Sequence, residues 1–249
     1  MPRRVPEGPP PPPVVQRVRI RYAKRGRLRF TSHRDFARAF ERALRRAEVP
    51  MAYSAGFTPH PKISYVGASP TGVASEAEYL EIGLAREVPV AQLCAALDAA
   101  LPDGLDIVEA VIAGPGSLAD RMTASDWRIE LPGVPVEVAR AAVERFLARD
   151  EVLVERLTKS GRREVDVRAA VVSAVVSGVG SDTGDPQRAI LDVVVRQVTP
   201  TVRPDDVIAA LGIVAGLAPA APHLAVRRAQ GPLDDQNAIG DPLAADRVP

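Results

Sequence analysis

Residues 53–81 read YSAGFTPHPKISYVGASPTGVASEAEYLE, and the rest of the chain takes its meaning from this run. It holds a Gly-aromatic step at Gly56-Phe57, a histidine between two prolines (Pro59-His60-Pro61) and a lysine, Lys62. A Pro-Thr-Gly turn follows at Pro70, and then an acidic patch, Ser75-Glu76-Ala77-Glu78-Tyr79. Proline fixes φ and removes a donor, and glycine raises the backbone entropy lost on folding. The run is therefore a poor helix and only a broken strand. Loops of this kind, carried on regular elements, tend to hold function.

Upstream, Ser32 is placed to cap a helix over about residues 33–47, with Asp35 three residues on. Phe36, Phe40, Ala43, Leu44 and Ala47 make its apolar stripe, and Pro50 stops it. Arg34, Arg38, Arg42 and Arg45 fall on a different face at spacings of three and four. Before the helix, residues 16–22 alternate: Val18, Ile20 and Tyr22 point one way, and Arg17, Arg19 and Arg21 the other. That is a half-buried strand with an arginine face. Lys24-Arg25-Gly26-Arg27 reads as a turn. Downstream, residues 79–85 read as a strand, 90–101 as an amphipathic helix ended by Pro102-Asp103-Gly104, and 105–112 as another strand. The order β-α-β-β-α-β predicts a split βαβ, ferredoxin-like unit: an antiparallel four-stranded sheet with two helices on one face.

Residues 114–119 read as a linker, after which the order recurs. Strands are expected at 126–131, 152–158 and 189–198, and helices at 135–149 and 204–211. A turn is expected at 159–162, with an extended run restarting at 164–168, while 169–176 is too apolar to classify by period. A loop falls at 178–186 and a last edge strand at 223–228. The expected architecture is thus α+β, two tandem ferredoxin-like halves with antiparallel sheets. The first half covers residues 14–113 and the second 120–228. A disordered proline-rich leader, 1–13, and a disordered acidic tail, 229–249, flank them.

The composition sets limits. The chain has 249 residues, 46% hydrophobic and 25% charged, which is ordinary for a globular protein of one large or two smaller domains. Its net charge of +1 hides a local polarity. Residues 17–46 carry twelve Lys/Arg against two acids, and residues 76–109 carry eight acids against one base. Arginine outnumbers lysine throughout, so clustering rather than arginine content is the signal. The single cysteine, Cys94, allows no disulfide framework and no cysteine-based cluster or zinc site. No run approaches the ~18 apolar residues of a membrane span. Arg3 and Arg4 precede a proline tract rather than an apolar core, so no secretory signal is read and a cytoplasmic location is expected.

Three chemistries are open to these residues. His60 and His33 are candidate acids or bases, because imidazole titrates near neutrality; either is equally readable as a structural or exposed side chain. Glu76 and Glu78 join them as catalytic candidates, but the spacing of the two pairs is no recognised metal motif. A cationic platform of Arg17, Arg19, Arg21, Lys24, Arg25, Arg27, Arg34, Arg38 and Lys62 would bind phosphate. Tyr53, Phe57, Tyr65 and Tyr79 are the aromatics available for stacking on RNA bases. The helix arginines are also readable as a solvated face paired with Asp35 and Glu41. The strand arginines are also readable as docking an acidic protein face. Gly56, Phe57, Pro59, Pro61, Ser75 and Tyr79 would present a substrate or meet a partner.

The motifs SHRDF (residues 32–36), GFTPHPKIS (56–64) and SEAEY (75–79), with RLTKSGRREVDVRAAV (156–171) and TVRPDDVIAAL (201–211) in the second half, resemble the radical-SAM-linked protein family, the domain of unknown function DUF2344. The resemblance spans most of residues 15–215. It implies a separate radical SAM enzyme as partner and an RNA-related setting, and it carries over no catalytic residues. One cysteine cannot supply the three that a radical SAM cluster needs. The expectation is therefore a stand-alone accessory protein that faces RNA, is not itself catalytic and uses no cofactor of its own. Its alternatives are an RNA-processing hydrolase using His60 and His33, and a protein–protein adaptor without nucleic acid.

Overall fold

The computed structural model describes residues 11–158, 161–179 and 188–247. Leader residues 1–10, tail residues 248–249, turn residues 159–160 and most of the expected loop at 178–186 lie outside them. The chain forms two compact units. One runs to Asp120 and takes back the segment from Pro242; the other is Arg121–Asp241. Both are mixed α+β with antiparallel strand pairs. No helix among the described residues is long and apolar enough to cross a membrane.

In the first unit the elements are β1 (Gln16–Lys24), α1 (His33–Arg46), β2 (Ile63–Val66), β3 (Ala74–Leu84), α2 (Val90–Ala100) and β4 (Leu105–Ile112). The strands lie in the order β4-β1-β3-β2, every neighbour antiparallel. Alternation along β1 decides the core. Val18, Ile20 and Tyr22 join Leu80, Ile82 and Leu84 of β3 under Phe36, Phe40, Ala43 and Leu44 of α1 and Leu93 and Leu97 of α2. Tyr22 stacks on Phe36 with ring centroids 4.3 Å apart. Ser32 caps α1, its hydroxyl accepting from the Asp35 amide at 3.2 Å. The helix ends before Pro50, because Glu48 turns the chain at a φ of +51°.

The second unit holds β5 (Ala124–Pro132), α3 (Val136–Leu147), β6 (Leu153–Thr158), β7 (Gly161–Asp166), a single helical turn α4 (Val167–Ala170), β8 (Val171–Val179), β9 (Arg188–Arg196), α5 (Pro204–Ala215) and β10 (Leu224–Gly231). Its sheet has the order β10-β5-β9-β8, the same permutation as the first, and β6 and β7 form a separate hairpin between α3 and β8. The apolar run left unclassified by period is mostly β8. Asp166 starts α4 by accepting from the Ala169 amide, so the extended run expected through Arg168 stops at Asp166. Helix α5 runs past Leu211 to Ala215, and Gly216 closes it at a φ of +67°.

Two expectations are corrected. The acidic tail is not a loose end between residues 229 and 247. Leu243 is fully buried, and Asp246 is 3% exposed. Nor are residues 114–119 a free linker, since Leu118 is buried and Gly114 and Gly116 take part in the same contact as Asp246. The cause is Arg19, which is 1% exposed. Its guanidinium donates to both Asp246 oxygens at 2.7 and 2.8 Å, to Glu81 at 3.0 Å and to the Gly116 carbonyl. Asp246 also accepts the Gly114 amide at 2.9 Å. A Cβ on Gly114 would stand 2.8 Å from that carboxylate, so a side chain there would push Asp246 away from Arg19. Burial alone would lower the Arg19 pKa, but the hydrogen bonds and charges of Asp246 and Glu81 hold it above its ordinary value.

A second ion network crosses the strands of the second unit. Arg128 and Arg228 both meet Asp192, Arg228 also meets Asp126, and Ser177 donates to Asp192 at 2.5 Å. Burial would raise the Asp192 pKa, but these hydrogen bonds and charges depress it below the usual carboxylate range. A depressed carboxyl stabilises the fold at pH above its unfolded value of about 4 and loses that contribution as the pH falls through the folded value. The loss of stability on acidification should therefore be smaller in Asp192→Asn than in the parent chain, as read from urea midpoints between pH 6 and pH 3. Asp246→Ala leaves the buried Arg19 with Glu81 alone as counter-charge and should cost about 3 kcal/mol, the low end for breaking a buried pair. Arg19→Met combined with Asp246→Leu should recover most of that loss in the same assay, because an apolar pair needs no counter-charge.

Candidate nucleic-acid interface

The arginines expected on one surface are divided between the two faces of the first sheet. Val18, Ile20 and Tyr22 pack under α1, so Arg17, Arg19 and Arg21 project from the opposite side. On that side they meet acids. Arg19 is buried as described, and Arg17 donates to Glu81 at 3.0 Å. Arg21 is half-buried and donates to the Glu76 carbonyl at 2.9 Å. Arg247, on the returning C-terminal segment, grips Glu109 through two bonds of 2.7 Å. Lys24 is 4% exposed and donates to the Pro70 carbonyl at 3.2 Å. Arg25 is held between Glu76 and Asp106, whose hydrogen bonds and charges raise its pKa against the effect of burial. Reading Arg19 and Lys24 as phosphate contacts is therefore corrected, and Arg17, Arg21 and Arg25 already serve internal partners.

The outer face of α1 is different. Arg34, Arg38, Arg42 and Arg45 are all exposed. Arg38 approaches Asp35 only to 4.0 Å, with both side chains more than half exposed, and such a surface pair contributes little. Arg34, Arg42 and Arg45 make no ion pair with any described residue. Arg27 and Lys62 are exposed as well. From Arg34 to Arg45 this face is a row of positive charge about 16 Å long, on a helix of 14 residues at ~1.5 Å rise each.

The proline-bracketed loop borders that row. Its neck is a small ladder. Ser54 and His60 exchange bonds of 2.9 and 3.0 Å through the Ser54 amide and hydroxyl, and the Lys62 amide donates to Ala52 at 2.8 Å. Tyr53 bridges Pro61. The loop then packs on the second half of α1, where Glu41, Leu44 and Arg45 share a cavity of about 170 Å³ with Tyr53, Pro59, His60 and Pro61. At the tip, Gly56 adopts a φ of +132° with open space around it, and Phe57 is 71% exposed.

The catalytic candidates are not brought together. His33 lies on the first turn of α1 with its ring edge-on to Tyr65 at 4.8 Å, whereas His60 sits by Arg45, about 18 Å further along the helix. Glu78 is 2% exposed and accepts the Ser69 amide at 3.0 Å, and Glu76 is taken by Arg25. No group of three or more His, Cys, Asp or Glu that could hold a metal ion occurs among the described residues. Of the loop and partner candidates, Ser75 and Tyr79 are buried, which corrects their assignment to a contact surface, while Gly56, Phe57 and Pro59 are exposed and Pro61 is half-buried. Tyr65 is half-buried, and its hydroxyl has no hydrogen-bond partner among the described residues. Burial and the charge of Glu41 push its pKa up. Phe30, 60% exposed beside Arg29, is a further surface aromatic, and its position just before the cationic helix was the available signal.

His60 holds the loop through its backbone, so His60→Ala should change unfolding free energy by no more than about 0.5 kcal/mol, the range for surface substitutions. Denaturant titration of the variant measures this directly.

No curated protein matches the chain. Among solved structures it is similar to an unknown protein from Galdieria sulphuraria, 14% identical over 80% of this chain and 91% of that one, with a TM-score of 0.25. Residues 17–204 match the family described as an uncharacterized protein conserved in bacteria, DUF2344. That match takes in β1, the cationic helix and the bordering loop, and the chain belongs to this family.

Proposed function

We propose that this protein is a cytoplasmic, RNA-facing accessory protein, not itself catalytic, that works with a separate radical SAM enzyme and binds phosphate through the outer face of α1. The observation that carries the reading is the row Arg34, Arg38, Arg42 and Arg45, exposed and almost without internal counter-charge, beside a surface loop bearing His60 and Lys62. Elsewhere in the first unit Arg17, Arg19, Arg25 and Arg247 are paired with acids. A phosphate backbone would supply the missing charge and release its counterions. The radical SAM partner comes from the family resemblance, and a single cysteine is consistent with the cluster belonging to another chain.

We further read both units as ferredoxin-like halves. The shared strand permutation supports this, with the β6–β7 hairpin as an insertion in the second.

Binding to tRNA and ribosomal RNA should weaken steeply with salt. Arg38→Ala with Arg42→Ala should flatten the log–log salt slope by roughly 1.4–1.8, about 0.7–0.9 per phosphate contact removed. Arg17→Ala should leave the slope close to that of the parent chain. Filter binding between 50 and 200 mM salt measures all three. A salt-independent affinity, or no binding to either RNA, would sink the proposal.

A further inference from the structure

We infer that the RNA bound at α1 is single-stranded, with unpaired bases stacked on Phe57 and Tyr53 at one end of the helix and on Phe30 at the other. This rests on the reading of α1 as a phosphate-binding face and specifies its ligand.

The chain is poor in aromatics, with five Phe, four Tyr and one Trp. Tyr22, Phe36, Phe40, Tyr79, Trp127 and Phe146 are buried, and Tyr65 is half-buried against His33 and Phe36. The exposed ones are Phe30 at 60%, Tyr53 at 40% and Phe57 at 71%. All three flank one helix. Phe30 closes the 3-10 turn Gly26–Phe30, just before the Ser32 cap of α1. Tyr53 and Phe57 belong to the loop that packs on the far half of α1, with Tyr53 lining the same cavity as Arg45. The four arginines of the outer face lie between them in sequence and along the helix axis.

Each ring is held for display. Phe57 follows Gly56, whose positive φ turns the tip outward, and it precedes the stiff Thr58-Pro59-His60-Pro61 segment. The Ser54–His60 bonds close the neck beneath it. Phe30 carries the Arg29 guanidinium over its ring at 4.8 Å, and most of its surface remains open.

Cationic grooves that alternate with aromatic platforms bind single strands with little sequence preference. A duplex cannot use such platforms, because its base faces are already stacked on each other. The ~21 Å of α1 corresponds to about six nucleotides at a stacked spacing of ~3.4 Å, within the ~4–16 nucleotide footprint of such surfaces.

The test is fluorescence anisotropy of the full chain with a labelled single-stranded 12-mer RNA and with the same sequence as a blunt duplex. The parent, Phe57→Ala, Tyr53→Ala, Phe30→Ala, Phe57→Tyr and Arg38→Ala/Arg42→Ala are compared, with circular dichroism verifying each fold. The single strand should bind at least tenfold tighter than the duplex. Each aromatic-to-alanine variant should weaken the single strand about 5- to 150-fold and leave the duplex unchanged, while Phe57→Tyr keeps parent affinity. Equal affinity for strand and duplex, or aromatic variants that bind like the parent, overturns the inference. If the arginine variant still weakens binding in that case, phosphate contact at α1 survives, and the aromatics serve another partner, such as a protein. Loss of all RNA binding by the parent overturns both.

Discussion

A guanidinium cannot be buried without partners for its charge and its donors, and Arg19 is 1% exposed. Glu81 on β3, the Gly116 carbonyl after β4 and Asp246 near the C-terminus meet that demand together. Glu81 lies 62 residues from Arg19, and Asp246 lies 227 residues away, so one cation fixes distant parts of the chain. The Gly114 amide completes the shell of Asp246, and the space there admits no side chain. Removing Arg19 would leave the Asp246 carboxylate, which is 3% exposed as a residue, without its guanidinium.

The same pairing shapes what the first unit offers to solvent. Alternation along β1 sends its arginines to the side away from α1, where Glu81 of β3 and Asp246 of the returning segment meet Arg17 and Arg19. Among the described residues the helix arginines have no such partners beyond the 4.0 Å approach of Arg38 to Asp35. Of the unit's exposed aromatics, Tyr53 lines a cavity with Arg45, Phe57 lies in the same loop as Tyr53, and Phe30 immediately precedes the helix cap. Charge left open on one element and neutralised on another is the physical basis for placing the interface on the helix rather than on the sheet.

Local periodicity was enough to read much of the architecture. The stripe Phe36, Phe40, Ala43, Leu44 gave α1 and its buried face, and alternation at Val18, Ile20 and Tyr22 gave β1 and its inner side. Ser32, through its hydroxyl and its spacing to Asp35, marked the start of the helix. The β6–β7 hairpin was foreshadowed by its turn residues, but its separation from the main sheet was not, because pairing partners carry no local signature. The helix row Arg34 and Arg38 and the exposed loop residues Phe57 and Pro59 stand on the surface where exposure was expected.

The sequence by itself determined most of the helices and strands, though not β2, α4 or β8, together with which side of β1 and α1 is apolar and where charge clusters along the chain. All of these follow from neighbours a few residues apart. Only the tertiary structure decided which arginines are free. That depends on where acids as remote as Glu81, Asp106 and Asp246 come to rest, and such long-range pairing leaves no trace in local spacing. A tail of polar composition reads as unstructured until the buried cation that it neutralises is known.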